Sequence, residues 1–241
     1  MDLGIAGKVA LVTAASKGLG RGTAVALAAE GVKVGICARG DSALRETEAL
    51  IKDQGGEVLA LVADVTEPDE PARLVEAVAT HFGGLDILVA NAGGPRRERA
   101  LELSDEEILA AVNANLVTSV RLVRAAVPWM RRAAWGRICL ITSIAVKEPI
   151  PTLALSNLSR TGLWAWAKTA AADLGPDGIT LNSACPGTHA TDRIQDLGSH
   201  PGPIGDPGDF GRVVTFLCSA PAGFISGTAV SVDGGVNRGL F

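Results

Sequence analysis

Lys8-Val9-Ala10-Leu11-Val12-Thr13-Ala14-Ala15-Ser16-Lys17-Gly18-Leu19-Gly20 is the stretch that decides the fold. Its first six residues form a β-rich run that is apolar on both parities, as in a strand buried on two faces. A glycine-bearing turn follows and leads into a helical pattern over Leu19–Ala29. Glycines at such a turn let the backbone approach a pyrophosphate, and the helix start offers free N–H groups and a positive dipole end. The turn alone also fits a tight strand-to-helix connection that binds nothing.

Working outward, the same alternation repeats. Lys33–Ala38, Val58–Val62, Ile87–Ala90, Arg137–Thr142, Thr180–Ala184 and Ala229–Val232 read as further strands. Helical patterns lie between them at Ser42–Asp53, Pro71–Phe82, Ser104–Arg132, Thr152–Leu174 and Asp209–Ser219. Strands alternating with helices predict right-handed βαβ units. The expected fold is α/β, a doubly wound, seven-stranded parallel sheet of the Rossmann type with helices on both faces. One domain is expected over residues 1–241, since no linker or repeat divides the chain. Ser104 and Glu107 form a predicted capping box, and Asp41 or Ser42 a predicted cap for the second helix. Gly31, Gly55 and Gly175 stand where helix-ending glycines belong. Gly187–Pro207 is the loosest segment, placed where open α/β sheets carry ligand-covering loops.

Composition narrows the function. Apolar residues make up 47% of the 241, enough for a large core, and the formal net charge is -4. Basic residues are scattered, which argues against nucleic acid and anionic membrane as partners. No run is read as approaching the length of a membrane helix, about 20 apolar residues. The N-terminus lacks signal-peptide architecture, and the expected location is cytoplasmic. Cys37, Cys139, Cys185 and Cys218 show no C-x-x-C spacing and read as buried fillers in a reducing compartment.

Further motifs follow the strands in order. Asp64-Val65 ends the third, Asn91-Ala92-Gly93 the fourth and Ser143 the fifth. Asn115 lies in the long helical pattern, Pro186-Gly187 with Thr188 and Thr191 follows the sixth strand, and Val232-Asp233-Gly234-Gly235 ends the last. Together with the first turn, these motifs resemble the short-chain dehydrogenase/reductase family over the whole chain, with 3-oxoacyl-carrier-protein reductases as the nearest type. The resemblance implies that Thr13, Ser16, Lys17, Gly18, Leu19 and Gly20 hold a nicotinamide dinucleotide's phosphates. It implies that Asp64 and Val65 meet the adenine, and that Asn91, Ala92, Gly93, Pro186, Gly187, Thr188 and Thr191 complete the cleft. Ala14 stands where the family has its first glycine, a change that costs little provided the turn needs no positive φ there.

The second strand ends Cys37-Ala38-Arg39-Gly40, without the acidic residue that accepts from an NAD ribose. Arg39 can instead engage a 2′-phosphate through its fork of donors, and Lys17 adds a second cation. NADP(H) is therefore expected over NAD(H).

The family's catalytic tyrosine falls thirteen residues after its serine, within Y-x-x-S-K. Here that position is Ser156, in Ser156-Asn157-Leu158-Ser159-Arg160, and the chain contains no tyrosine. The resemblance assigns Asn115, Ser143, Ser156 and Arg160 to the catalytic positions, with Arg160 also facing the nicotinamide ribose. A serine is shorter and a far weaker acid than a phenol with its pKa of about 10. A guanidinium with a pKa above about 12 cannot shuttle protons. Lys147, Glu148 and His189 are nominated as substitute acids, and Arg96, Arg97 and Arg99 either meet an acidic substrate or form a solvated loop. Asp192–Pro207 reads as a truncated lid that leaves the pocket open. Trp129, Trp164 and Trp166 fit either the core or an interface, and the resemblance implies a homodimer or homotetramer. The leading expectation is an NADP(H)-dependent oxidoreductase for a carbonyl or alcohol, with a ketone or acyl compound as the default substrate. Two alternatives stay open: a catalytically inactive nucleotide-binding sensor or partner subunit, and a non-redox enzyme on the same scaffold.

Overall fold

A computed structural model of the chain describes residues 1–197 and 202–239. Seven strands form one parallel sheet: β1 (Val9–Val12), β2 (Lys33–Ala38), β3 (Val58–Val62), β4 (Ile87–Ala90), β5 (Gly136–Ile141), β6 (Ile179–Pro186) and β7 (Ala229–Val232). Their order is β3-β2-β1-β4-β5-β6-β7, all pairs parallel. The order reverses between β1 and β4, so the crossovers diverge there and open a crevice at the strands' carboxyl ends.

Both sheet faces are covered, which is why the strands are apolar on both parities. Leu11 of β1 joins one core with Leu74 and Val78 of α3 (Glu70–Phe82), Leu122 and Ala126 of α5 (Thr118–Ala133), and Leu163 of α6 (Ala154–Leu174). Its neighbours Ala10 and Val12 join the opposite core with Leu27 of α1 (Gly18–Ala29), Leu44 of α2 (Asp41–Asp53), and Phe210 and Val214 of α8 (Pro207–Leu217). All four cysteines are buried and free.

The helix signals divide. The capping box forms: Ser104 Oγ accepts from Glu107 N at 3.3 Å, and Glu107 Oε2 accepts from Ser104 N at 3.0 Å. The second helix has no side-chain cap, because Gly40 takes the N-cap position and Asp41 is already helical, where it pairs with Arg45 at 3.0 Å. Gly31 and Gly55 take left-handed φ, but Gly175 does not. The chain continues there in a short 3₁₀ turn, and Gly178 makes the left-handed exit.

The pattern at Ser104–Arg132 is not one uniform helix. A π-helical turn, Asn113–Val117, separates α4 (Asp105–Val112) from α5. The combined rod Asp105–Ala133 is long and apolar enough to cross a bilayer by length and composition, contrary to the sequence reading. Leu122, Val123, Ala126 and Met130 are buried in the sheet's core, so this rod packs as a core helix. Trp129 and Trp166 pack partly buried on the same core, while Trp164 joins Val146 and Cys185 in a small satellite cluster.

The segment Gly187–Pro207 has regular structure within its described residues. It carries α7 (Asp192–Leu197), and its ends are stitched together by Ala190 N–H to Gly205 O at 2.8 Å and Gly205 N–H to Thr188 O at 2.9 Å. The expected lid, Asp192–Pro207, lies partly outside the described residues.

Candidate functional site

Two adjoining cavities occupy the crevice, of about 700 and 750 Å³. They share Ala14 and Ala92–Pro95 as a common wall. Both sit over the carboxyl ends of β1, β4 and their neighbours, where the crossovers part.

The first cavity gathers Ser16, Arg39, Asp64, Val65, Ala92, Gly93 and Asn115. The Arg39 side chain is 80% exposed, with Nη1 3.9 Å from Asp64 Oδ2. Asp64 Oδ1 accepts from the backbone N–H and hydroxyl of Thr66, at 3.0 and 2.7 Å. Those two hydrogen bonds, the backbone one foremost, hold the Asp64 carboxyl below the usual carboxylate range, with help from Arg39.

The second cavity gathers Lys17, Gly18, Leu19, Asn91, Ser143, Ser156, Arg160, Pro186, Gly187, Thr188 and Thr191. Lys17 is therefore not beside Arg39. Its Nζ lies 3.0 Å from Asp192 Oδ2, tying the glycine turn to α7.

Thr13 and Gly20 line neither cavity and shape the turn instead. Thr13 Oγ1 donates to Asn91 O at 2.7 Å and accepts from Asn91 N at 2.9 Å, locking β1 to β4. At Gly20 a Cβ would lie 2.3 Å from Ala14 O, so only glycine lets the helix start so close to the strand end. Ala14 itself adopts φ 48°. The turn does need a positive φ there, and an alanine holds it at a cost of about 1–2 kcal/mol.

At the catalytic positions, Ser156 and Ser159 follow the helical register, and Ser156 is buried while lining the second cavity. Ser143 Oγ accepts from Ala145 N at 3.1 Å, which leaves its own proton free to donate. Arg160 is buried and turns its guanidinium to the strand ends. Nη1 donates to Ile141 O at 2.7 Å and Thr142 O at 2.8 Å, and Nη2 to Ala92 O at 3.4 Å. It thus bridges the carboxyl ends of β5 and β4. Burial first, and then the nearby positive charge of Arg193, push its pKa down to about 10, below the value above 12 expected from sequence. It stays protonated at neutral pH.

Asn115 sits in the π turn. Its Nδ2 donates to Ala111 O at 3.3 Å, while its buried Oδ1 has no partner. A π turn widens the helix by one residue per turn and so can re-aim a side chain at a functional site. The orphaned acceptor faces the fate of any buried polar atom, a water or a ligand.

Two of the nominated substitute acids leave the site. Lys147 and Glu148 line neither cavity, and Glu148 Oε2 accepts from Arg238 N at 2.9 Å. His189 lines the second cavity as part of its wall. Its Nδ1 is 3.2 Å from Gly187 O, its ring edge meets Phe210 at 5.1 Å, and a Cβ on Gly205 would lie 2.9 Å from its Nε2. Arg96 pairs with Glu98 and Glu107, and Arg97 lines the second cavity. Arg193 was not anticipated. It lines the second cavity and donates to Pro95 O across it. With Lys17–Asp192, this contact ties the start of α7 to the glycine turn and to the Gly94–Pro95 wall.

Comparison with known proteins gives one answer. Residues 13–237 match a family model described as enoyl-(acyl carrier protein) reductase. The chain is 34% identical over 238 residues to the 3-oxoacyl-[acyl-carrier-protein] reductase of Synechocystis sp., covering 95% of this chain and 96% of that one. It is 30% identical over 252 residues to the (S)-acetoin-forming diacetyl reductase of Staphylococcus epidermidis, covering 95% and 98%. Among solved structures it matches L-sorbose reductase of Gluconobacter frateurii, complexed with NADPH and L-sorbose, at a TM-score of 0.94, 32% identity and full coverage of both chains.

Proposed function

This chain belongs to the short-chain dehydrogenase/reductase family, as an oxidoreductase of the 3-oxoacyl-carrier-protein reductase-like type, and we propose that it interconverts a carbonyl and an alcohol with NADP(H), using Ser143 and Ser156 without a phenol. The observation that carries this reading is the pair of joined cavities, with an arginine at one end and two serine hydroxyls at the other.

The residues fit a dinucleotide. The glycine turn opens onto the start of α1, and the backbone approach at Gly20 leaves no room for a side chain. The long crevice supplies both ends of the site. Arg39, exposed and only loosely paired with Asp64 at 3.9 Å, would take a 2′-phosphate, while Lys17 and Asp192 close the turn over the middle. When bound, the nicotinamide supplies the hydride. Ser143, with one lone pair taken by Ala145, donates a hydrogen bond to the substrate oxygen and orients it. Ser156, one helical turn before Arg160, holds a water that passes a solvent proton to that oxygen as the hydride reaches the carbonyl carbon. Arg160 acts as a positioning residue: it keeps the ends of β4 and β5 in register beneath Ser143. Asn115 Oδ1 offers the buried acceptor where a relay water hydrogen-bonds. Losing a well-placed acid costs about 10²–10⁴ in rate, so turnover is slow beside relatives that keep the phenol. Self-association into a dimer or tetramer, and a cytoplasmic location, belong to the same reading.

The test is titration of the purified protein with NADPH and NADH by nicotinamide fluorescence, followed by NADPH oxidation over a panel of ketones. Arg39→Ala should weaken NADPH by about 10- to 100-fold, the worth of charge-assisted hydrogen bonds, and leave NADH unchanged. Ser156→Tyr with Arg160→Lys should raise the reduction rate. Tight NADPH binding with no turnover in either form would assign the protein to the nucleotide-binding, non-catalytic reading. No binding of either nucleotide would sink the redox reading altogether.

A further inference from the structure

The second cavity is charged in a way that the cofactor's turn does not explain. Lys17, Arg160 and Arg193 line it, and the one carboxylate among its described lining residues, Asp192, is already 3.0 Å from Lys17. Neither Arg160 nor Arg193 forms a salt bridge among the described residues. Arg160 has only the carbonyls of Ile141, Thr142 and Ala92, and Arg193 the carbonyl of Pro95. The two guanidiniums are close enough that the charge on Arg193 disfavours protonation of Arg160. A buried guanidinium beside a half-buried one of the same sign is stabilised by an anion between or beside them.

Their places in the crevice divide the labour. A dinucleotide's phosphates have the glycine turn and the start of α1, formed by Gly18 and Leu19, on the β1 side. Arg193 follows the Asp192 that pairs with Lys17 and carries its guanidinium away from that turn, to the Gly94–Pro95 wall after β4. Its guanidinium lies against Gly94, 3.4–3.6 Å from where a Cβ on that residue would be, and reaches Pro95. The same cavity holds Ser143 and Ser156, and its remaining wall is apolar, with Ile144, Ile150 and Leu153. A flat guanidinium with spare donors, an apolar wall and two hydroxyls together match a short oxo acid. The carboxylate would meet the fork bidentately, the alkyl part Ile150 and Leu153, and the carbonyl oxygen Ser143.

Resting on the redox reading above, we propose that Arg193 determines specificity by selecting carbonyl substrates that carry a carboxylate, so that the protein acts on small oxo acids in preference to neutral ketones. A lysine would keep the charge at this place, whereas glutamine would keep the hydrogen bond to Pro95 and lose the charge.

The experiment is calorimetric titration of NADP⁺-saturated protein, in which no hydride can move to a ketone. The probes are 2-oxobutanoate, acetoacetate and 4-oxopentanoate, each beside its neutral methyl ester. At least one acid should bind about 10- to 100-fold tighter than its ester. Arg193→Gln should collapse that ratio, Arg193→Lys should retain most of it, and neither should change NADP⁺ affinity more than about twofold. Acids and esters that bind alike would overturn the proposal. So would an Arg193→Gln variant that loses NADP⁺ affinity while keeping the acid-to-ester ratio, since Arg193 would then serve the cofactor. If the wild-type protein binds no NADP⁺, the redox reading fails by itself. The same acid and ester titrations on the cofactor-free protein then decide the role of Arg193.

Discussion

Replacing Ala14 by glycine should stabilise this protein, although it shortens a side chain on a cavity wall. Ala14 is held at φ 48°, in the left-handed region. Its Cβ approaches backbone there at a cost of about 1–2 kcal/mol. Against this, glycine loosens the unfolded chain by about 0.4–1 kcal/mol. The net gain is about 0–1.6 kcal/mol, centred near 0.8 kcal/mol, which for a chain of this length raises Tm by up to about 6 °C. Ala134 is a matched control. It has the same φ of 48°, caps the end of α5 and is exposed. Ala134 precedes β5 and Ala14 follows β1, so in a parallel sheet they lie at opposite ends and their effects should add. Calorimetric melts of Ala14→Gly, Ala134→Gly and the double variant measure this directly. Only Ala14→Gly should also alter NADPH affinity, because only Ala14 borders the cavities. A lower Tm for Ala14→Gly beside a raised one for Ala134→Gly would refute the reasoning, since the alanine methyl would then be worth more than the backbone freedom it denies.

Arg160→Met should lower stability by about 2–4 kcal/mol, because three carbonyls at the ends of β4 and β5 lose a charged donor; a urea midpoint unchanged from wild type would show the guanidinium to be idle. Asp206→Ala should cost about 1 kcal/mol, since its carboxylate caps α8 by accepting from Gly208 N at 2.7 Å and Asp209 N at 3.1 Å; urea denaturation at neutral pH measures it. For pH, the folded Asp64 carboxyl sits below its ordinary value, so it binds its proton less readily than in the unfolded chain, whose value is about 3.9. Its stabilising contribution is therefore present above about pH 4 and is lost as pH falls through the folded value. Asp64→Asn should narrow its stability gap to wild type as pH drops from neutral towards about 3; a gap that stays constant would mean that the Thr66 hydrogen bonds leave the carboxyl's affinity for protons untouched.

Much of the site was legible because its parts are local. The run from Lys8 to Gly20 announces a strand, a turn and a helix start within thirteen residues, and each feature depends on near neighbours alone. The register that places Ser156 and Arg160 on one helix face is likewise a matter of spacing. Arg193 escaped notice because a lone basic residue in a Gly- and Pro-rich segment carries no local signature. It becomes a site residue only when β4 and β6 bring Pro95 and α7 to facing walls. Lys17 and Arg39, read together as two cations favouring NADP(H), part for the same reason in reverse. Both belong to the β1–β2 half of the chain, but the ion pair with Asp192, far along the sequence, draws Lys17 to the other cavity.

By itself, then, the sequence determined the alternation of elements, the parallel sheet buried on both faces, the nucleotide turn and the absence of any phenol, because each follows from composition or from periodicity within a few residues. Tertiary structure alone decided where the charges go. It bound the Arg160 guanidinium to backbone carbonyls, removed Lys147 and Glu148 from the pocket, and set Arg193 against Gly94 and Pro95 with no carboxylate partner among the described residues. Electrostatic partners are chosen by distance through space, and in a doubly wound sheet the closest groups come from loops that the chain order keeps far apart.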